Sequence, residues 1–381
     1  MQFEWEERIF CSNVMSRFQI SILSALWALG LPSLLSFAVS CAYPEKQASP
    51  RSENSILGKL TSDEDDPTVT LCAWENDGLL IRTHSIWSTG DAGATWELVS
   101  RVSPHRGPSS FETVWLRSKT DIFAQADGAL FESANQGRGW TKKGTIPSST
   151  GSFLAIAGDE AESWLVGIGQ RSVPTSGKRL SMLPKYADDV TSTPQAPRML
   201  VPAITVTHDD GLSWKSARLP EEIGPLDRVV VSGRFAIAVG PYAILTTTNK
   251  GESWIAPKEV GLGDKEETYP VSAAIFGRRL WVSLKNGTLM RGDIFKQELT
   301  AASTSATPLE SLAFTDSCTG FALRNEELVT TEDSGTTWRD VTHSKDIVAF
   351  TVSQKGILVA THDRVLHISL QQRQSGAACV N

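Results

Sequence analysis

Apolar positions along this chain come in short alternating runs broken by glycine-containing turns, and they lack the three-to-four-residue rhythm of amphipathic helices. Val114 to Leu116 with Ile122 to Gln125 is one such pair of runs, and Val229 to Val231 with Phe235 to Val239 is another. Runs of this length, bounded by Gly, Asn and Asp, predict antiparallel β-hairpins throughout. Five segments repeat one pattern, S/T-x-D/N-x-G-x-x-W: Thr89 to Trp96, Ser133 to Trp140, Thr207 to Trp214, Thr247 to Trp254 and Thr331 to Trp338. Their acidic or amide positions are Asp91, Asn135, Asp209, Asn249 and Asp333, and their glycines are Gly93, Gly137, Gly211, Gly251 and Gly335.

Each part of the pattern has a physical task. Asp or Asn accepts backbone N–H bonds and closes a tight turn, Gly supplies a positive φ, and Ser or Thr caps the same turn. Trp96, Trp140, Trp214, Trp254 and Trp338 then open the next strand, where their rings are expected to be buried. This segment is the Asp box, or bacterial neuraminidase repeat. Asp209-Asp210-Gly211 has the look of a calcium loop, but no downstream Glu completes it, so no metal or other cofactor is expected.

The five Trp are 44, 74, 40 and 84 residues apart, a unit of about 42 with one insertion and one doubled interval. The doubled interval predicts a decayed repeat over Val271 to Phe295, with Gly292, Ile294 and Lys296 at the box positions. Four short strands per unit is the signature of a propeller blade. After Trp338 three strand candidates remain, Ile347 to Val352, Gly356 to Ala360 and Val365 to Leu370. A strand within Ser55 to Leu60 would supply the fourth and close the ring without an open edge. The expected fold is therefore all-β, a seven-bladed β-propeller over residues 55–372; six or eight blades would need an element the chain does not display.

The repeat also resembles a wider family. Leu312-Ala-Phe314-Thr-Asp316-Ser-Cys-Thr-Gly320-Phe321-Ala322-Leu323, running on to Trp338, is similar to the unit of the photosystem II assembly and stability factor family. Ala157-Gly-Asp159 with Trp164 to Gly167 is a partial second copy. The resemblance spans Thr68 to Leu370 and implies a seven-bladed propeller of this superfamily; it implies nothing about photosynthesis, and no chlorophyll- or reaction-centre-binding residue carries over.

The N-terminus reads as a targeting segment. Phe18 to Val39 is an uncharged apolar run preceded by Arg17, and Ala38-Val39-Ser40-Cys41 resembles the bacterial lipobox, with Ala where Leu is usual. The expectation is a signal peptide over 1–40, lipidation at Cys41, and a polar tether over 41–54; an uncleaved anchor is the alternative reading. Glu4, Glu6 and Glu7 are unusual ahead of a signal core and point to a start at Met15. Ala42 after Cys41 resembles the outer-membrane sorting pattern of Gram-negative lipoproteins, which implies a lipid-anchored protein of the cell envelope. Cys72, Cys318 and Cys379 then form an odd set, read as isolated thiols, with a Cys72–Cys379 bridge the alternative if the C-terminus ends near the first repeat, and residues 373–381 form a C-terminal tail.

Composition removes several function classes. The net charge of -7 and the absence of a Lys/Arg cluster exclude a general nucleic-acid binder. A sialidase, which the box also resembles, needs three Arg, a Tyr nucleophile with its Glu, and an acidic Asp. Of the four tyrosines, Tyr43 lies in the tether, Tyr186 falls in the insertion, and only Tyr242 and Tyr269 remain; Glu267 beside Tyr269 is a candidate pair, with a solvated loop the favoured reading. No serine elbow, P-loop or zinc spacing occurs, His362 and His367 read as surface histidines, and no catalytic residue is assigned.

One departure from the repeat carries functional weight. Residues 171–200 are inserted between the second and third strands of the third blade and hold Arg171, Lys178, Arg179, Lys185 and Arg198 against Asp188 and Asp189. A basic loop on an acidic body is a candidate element for binding a protein partner, and a tolerated insertion is the equal alternative. The expected function is a noncatalytic envelope lipoprotein, a propeller scaffold for protein binding or complex assembly. The alternative is a secreted sialidase-like, glycan-active or glycan-binding propeller.

Overall fold

The computed structural model describes residues 68–74, 76–101, 111, 113–126, 129–145, 153–159, 162–174, 198–220, 223–257, 268–341, 346–353, 356–361 and 364–369, with Phe10–Cys11, Val14–Met15 and Gly58–Lys59. Seven antiparallel sheets form a ring, a seven-bladed β-propeller. Blade 1 holds Thr68–Trp74, Asp77–Arg82, Ser85–Thr89 and Glu97–Arg101, and blade 2 holds Thr113–Leu116, Ile122–Ala126, Ala129–Ser133 and Thr141–Thr145. Blade 3 comprises Phe153–Asp159, Trp164–Pro174, Arg198–Thr207 and Lys215–Ser216; blade 4 comprises Arg228–Ser232, Phe235–Gly240 and Ala243–Thr247, with a bridge from Thr246 to Ile255 at its outer position. Blade 5 consists of Pro270–Phe276, Arg279–Leu284, Thr288–Asp293 and Glu298–Thr304, and blade 6 of Glu310–Phe314, Gly320–Arg324, Glu327–Thr331 and Arg339–Asp340.

Blade 7 closes the ring. Ile347–Ser353, Gly356–Thr361 and Arg364–Ser369 are joined by Gly58–Lys59, whose residues pair with Val365 and Arg364. The first strands of consecutive blades lie against one another around the axis from blade 7 through blade 6. A short hairpin, Phe10–Cys11 with Val14–Met15, adds to the inner edge of Thr68–Trp74 and reaches the first strands of blades 4 and 5, inside the channel.

The core sits between blades because each sheet is apolar on both faces. Ile86, Phe123, Leu130 and Leu165 belong to one cluster that runs from blade 1 to blade 3, whereas Trp281, Leu289, Phe314 and Phe350 join blades 5 to 7. Two indoles fasten neighbours directly: the Trp164 Nε1–H donates to the Gly233 carbonyl at 2.9 Å, and the Trp281 Nε1–H to the Ser334 carbonyl at 3.0 Å. Trp281 also stacks on Phe314, 3.6 Å between centroids and 7° from parallel.

Two expectations are corrected. The decayed turn of blade 5 keeps its acid at Asp293, one residue before Ile294, where the box spacing placed it, so the whole box lies one residue earlier than Gly292, Ile294 and Lys296. The register is set by the Ile294 N–H, which donates to the Arg278 carbonyl as the Lys250 N–H does to the Arg234 carbonyl in blade 4. Cys72 and Cys318 are disulfide-bonded and not isolated thiols. Cys11, which lies ahead of Cys41 and outside the set of Cys72, Cys318 and Cys379, stands directly opposite Cys72 in the ladder. Cys41, the tether 41–54, most of the leader 1–40, Cys379 and the tail, Tyr43, Tyr186, Glu267 and His362 lie outside the described residues.

Candidate functional site

The five repeated turns share one geometry. In blade 6 the Thr331 hydroxyl accepts from the Gly335 N–H at 3.0 Å and donates to Asp333 Oδ1 at 2.8 Å. Asp333 also accepts from the Thr337 N–H at 2.8 Å and the Thr337 hydroxyl at 2.6 Å. Asp91 in blade 1 and Asp209 in blade 3 repeat this arrangement with Thr89 and Thr95 and with Thr207 and Ser213. In blades 2 and 4, Asn135 accepts from Ser133 and the Gly139 N–H, and Asn249 accepts from Thr247 and the Ser253 N–H.

The turn glycines meet two demands at once. Gly335 sits at φ +87, and a Cβ there would lie 2.4 Å from Leu289 Cδ2 of blade 5. Gly93, Gly137, Gly211 and Gly251 likewise press on Leu358, Ile86, Leu130 and Val206 of the preceding blade. The turns are thus joints between blades as well as reversals of the chain. Their indoles are less uniform than expected: Trp254 is 2% exposed, whereas Trp96, Trp140, Trp214 and Trp338 are half-buried, because they open outer strands on the rim of the ring.

This hydrogen bonding decides what the turn acids can do. Asp209 is lowered to about 2 by the hydroxyl of Ser213, the hydroxyl of Thr207 and the Ser213 N–H. For Asp91 and Asp333, burial pushes the pKa up, and the bonds from Thr95 and Thr89, or from Thr337 and Thr331, outweigh it and hold it low. A glycosidase acid needs the opposite, a raised pKa and a proton to give. Tyr242 and Tyr269, at the blade 4–5 junction, hydrogen-bond to each other through their hydroxyls with rings edge-on at 4.4 Å. Among the described residues no group of three or more His, Cys, Asp or Glu could hold a metal ion, and no helix is long and apolar enough to cross a membrane.

The insertion begins as a continuation of blade 3. Its second and third strands pair from Leu165↔Thr207 out to Pro174↔Arg198, against five- or six-residue second strands in blades 2, 4 and 5. The pairs beyond Gly169↔Ala203 project roughly 16 Å at about 3.3 Å per residue. Because antiparallel strands alternate direction, this ribbon leaves the ring on the face opposite the five turns. Arg171 and Arg198 occupy the ladder at Arg171↔Val201 and Pro174↔Arg198, positions of opposite parity, while Lys178, Arg179 and Lys185 lie outside the described residues.

A cation–aromatic joint that no sequence motif marks lies on the turn face. The Arg117 guanidinium lies 4.6 Å from the Phe123 ring centroid and 5.9 Å from that of Trp115. It pairs with Asp210 of the blade 3 turn and, at 3.9 Å, with Glu132, which Lys143 holds at 2.6 Å. The joint is closed, with 16% of the Arg117 side chain exposed. Only the proximity of Arg117 to an aromatic strand signals it in the sequence.

No family model matches this chain, and no curated protein matches it. Solved structures do. YCF48 bound to D1 peptide is 15% identical with a TM-score of 0.58, over 87% of this chain and 100% of that one. YCF48 from Cyanidioschyzon merolae is 15% identical with a TM-score of 0.52, over 84% and 97%. The extracellular domain of a one-component system from B. thetaiotaomicron is 8% identical with a TM-score of 0.58, over 85% of this chain and 41% of its own. At these identities the likeness is one of fold.

Proposed function

We propose that this chain is a noncatalytic, lipid-anchored envelope protein whose Asp-box propeller serves as a scaffold for a protein partner. The observation that carries the reading is the blade 3 ribbon, which extends well past the blade body into a stretch holding Lys178, Arg179 and Lys185. A rigid ring presenting one long basic loop is a common arrangement for recognition, since loops held by a scaffold carry binding. The similar YCF48 structure was solved with a peptide, which shows that this fold accommodates one in that protein. The lipid anchor rests on Ala38-Val39-Ser40-Cys41 alone.

The test is capture from solubilised membranes by the full chain and by a variant with residues 175–197 replaced by a short Gly-containing turn. A partner retained by the full chain, weakened about ten-fold by the deletion and by raised salt, with unchanged melting temperature, is the expected result. Equal capture by both proteins would move recognition off the ribbon. No saturable partner for either, or hydrolysis in a glycan screen, would end the scaffold reading.

A further inference from the structure

Blades 4 and 5 carry on the turn face a surface unlike the rest of the ring. Arg234 and Arg278 occupy equivalent positions, each lending its carbonyl to the N–H of its own blade's outer turn, Lys250 and Ile294. The Arg234 guanidinium lies 5.2 Å from the Phe235 centroid, and that of Arg278 lies 4.8 Å from Phe295. The two rings meet edge-on at 5.4 Å and so form one Arg–Phe–Phe–Arg row across the blade junction. The row is open: Phe295 is 45% exposed, 59% of the Arg278 side chain is exposed, and Arg234 and Lys296 are exposed.

The row exists because the blade 5 turn has decayed. Phe295 stands where the other turns place the glycine that is pressed under the preceding blade. A phenyl ring does not fit that joint, so Ile294 turns inward to 0% exposure and Phe295 lies outside on Phe235.

Cations elsewhere on this face show what such a guanidinium takes. Lys119 pairs with Asp77 of blade 1, Lys250 with Glu162 of blade 3, and Arg117 with Asp210 of blade 3. Asp210 is the left-handed residue of its turn; the counterpart in blade 5 is Ile294, which has no charge to offer Arg234. Among the described residues no carboxylate lies within ion-pair distance of Arg234, while Arg278 shares Asp293 at 3.1 Å. A guanidinium stacked on an aromatic ring presents a planar fork matched to a carboxylate, and exposed Arg and aromatic side chains are the residues interfaces favour.

The geometry points to the Arg234–Phe235–Phe295–Arg278 row as a docking site for an acidic, extended protein segment, a carboxylate pairing with Arg234 and an apolar side chain seated on Phe295. This rests on the reading of the chain as a protein-binding scaffold and adds a second surface, on the face away from the ribbon.

The experiment measures fluorescence anisotropy of a short labelled peptide alternating Glu with Phe and Leu, beside its Gln and Lys counterparts, on the full chain and three variants. Arg234→Ala with Arg278→Ala removes the forks, Phe295→Gly restores the residue of the other turns, and Arg339→Ala removes a cation elsewhere. The Glu peptide is expected to bind at least about ten-fold tighter than the Gln peptide, with the preference lost in the double variant, reduced in Phe295→Gly and kept in Arg339→Ala. Equal binding of the Glu and Gln peptides, an equal loss in Arg339→Ala, or binding of anionic phosphatidylglycerol vesicles in place of the peptide would overturn it. Membrane capture that stays sensitive to deletion of 175–197 while the peptide fails would remove this site and leave the scaffold reading in place.

Discussion

The outer turns of blades 5 and 6 share a register and one acid, yet one faces outward and the other is locked between blades. In blade 6, Thr331, Asp333 and Gly335 close the turn, and blade 5 grips it through Trp281 and Arg291 on the Ser334 carbonyl and Ser303 on the Gly335 carbonyl. In blade 5, Arg291 stands in place of the capping Thr and Phe295 in place of Gly, and Asp293 accepts from the Phe295 N–H at 2.9 Å and from Arg278. The lesson is that the glycine, more than the acid, makes the turn a joint. An Asp can be kept while the turn changes use, but a side chain at the glycine position cannot pass under the neighbouring blade.

The largest effect that bears on this contrast is expected at Trp281. Its ring is fully buried, stacks on Phe314 and holds the blade 6 turn, so Trp281→Ala should cost about 3–5 kcal/mol in denaturant unfolding. Trp338→Ala, which removes a half-buried ring from the same turn, should cost less. A larger loss at Trp338 than at Trp281 would show that the turn is held from within its own blade and not by its neighbour.

A smaller but sharper difference is expected at the glycine position. Gly335→Ala meets both a left-handed backbone, about 1–2 kcal/mol, and overpacking against Leu289, about 1–3 kcal/mol. Phe295→Gly in blade 5 removes an exposed ring and should stay within about 0.5 kcal/mol of zero. If Phe295→Gly destabilises as strongly as Gly335→Ala, the exposed row is a structural brace and the contrast between the two turns fails.

Much of this was legible in the sequence. Box spacing near one blade length and the three-strand remainder after Trp338 led to seven blades and a closing N-terminal strand, because both are local patterns that chain closure makes unambiguous. What stayed hidden depends on neighbours in space. Trp164 and Trp281 sit in second strands outside the repeated turns, and only inter-blade packing marks them as the buried indoles that fasten one blade to the next. Arg234 and Arg278 are 44 residues apart at equivalent turn positions, a signal present in the repeat alignment but masked by the decay of the box that would have anchored it. The blade 5 register is hidden because Arg291 and Phe295 replace the box Thr and Gly, and only the hydrogen bond from the Ile294 N–H to the Arg278 carbonyl identifies Asp293 as the box acid. Nothing in the leader-like sequence around Cys11 signals that it pairs with the first strand of blade 1.

The smallest effect separates turns built on Asp from those built on Asn. Hydrogen bonds hold Asp91, Asp209 and Asp333 below their usual value of 3.8, with Asp209 at about 2. An unfolded Asp titrates near about 3.9, so the folded turns bind protons less readily than the open chain. Their contribution to stability is therefore complete above that pH and is lost as pH falls through the folded values. Asn135 and Asn249 carry no such proton. Hydrogen exchange corrected for intrinsic rates should lose protection at the Thr95, Ser213 and Thr337 amides, which donate to these carboxylates, as pH falls below 3.8, with Ser213 holding until about 2, while Gly139 and Ser253 on the Asn turns keep theirs. Asp293 is lowered as well: burial pushes it up, and the Phe295 N–H and Arg278 outweigh that. Acid should therefore loosen the blade 5 turn too and release Arg278 from its intramolecular partner. Uniform loss of protection across Asp and Asn turns would mean that the ring opens as one unit, with no turn titrating by itself.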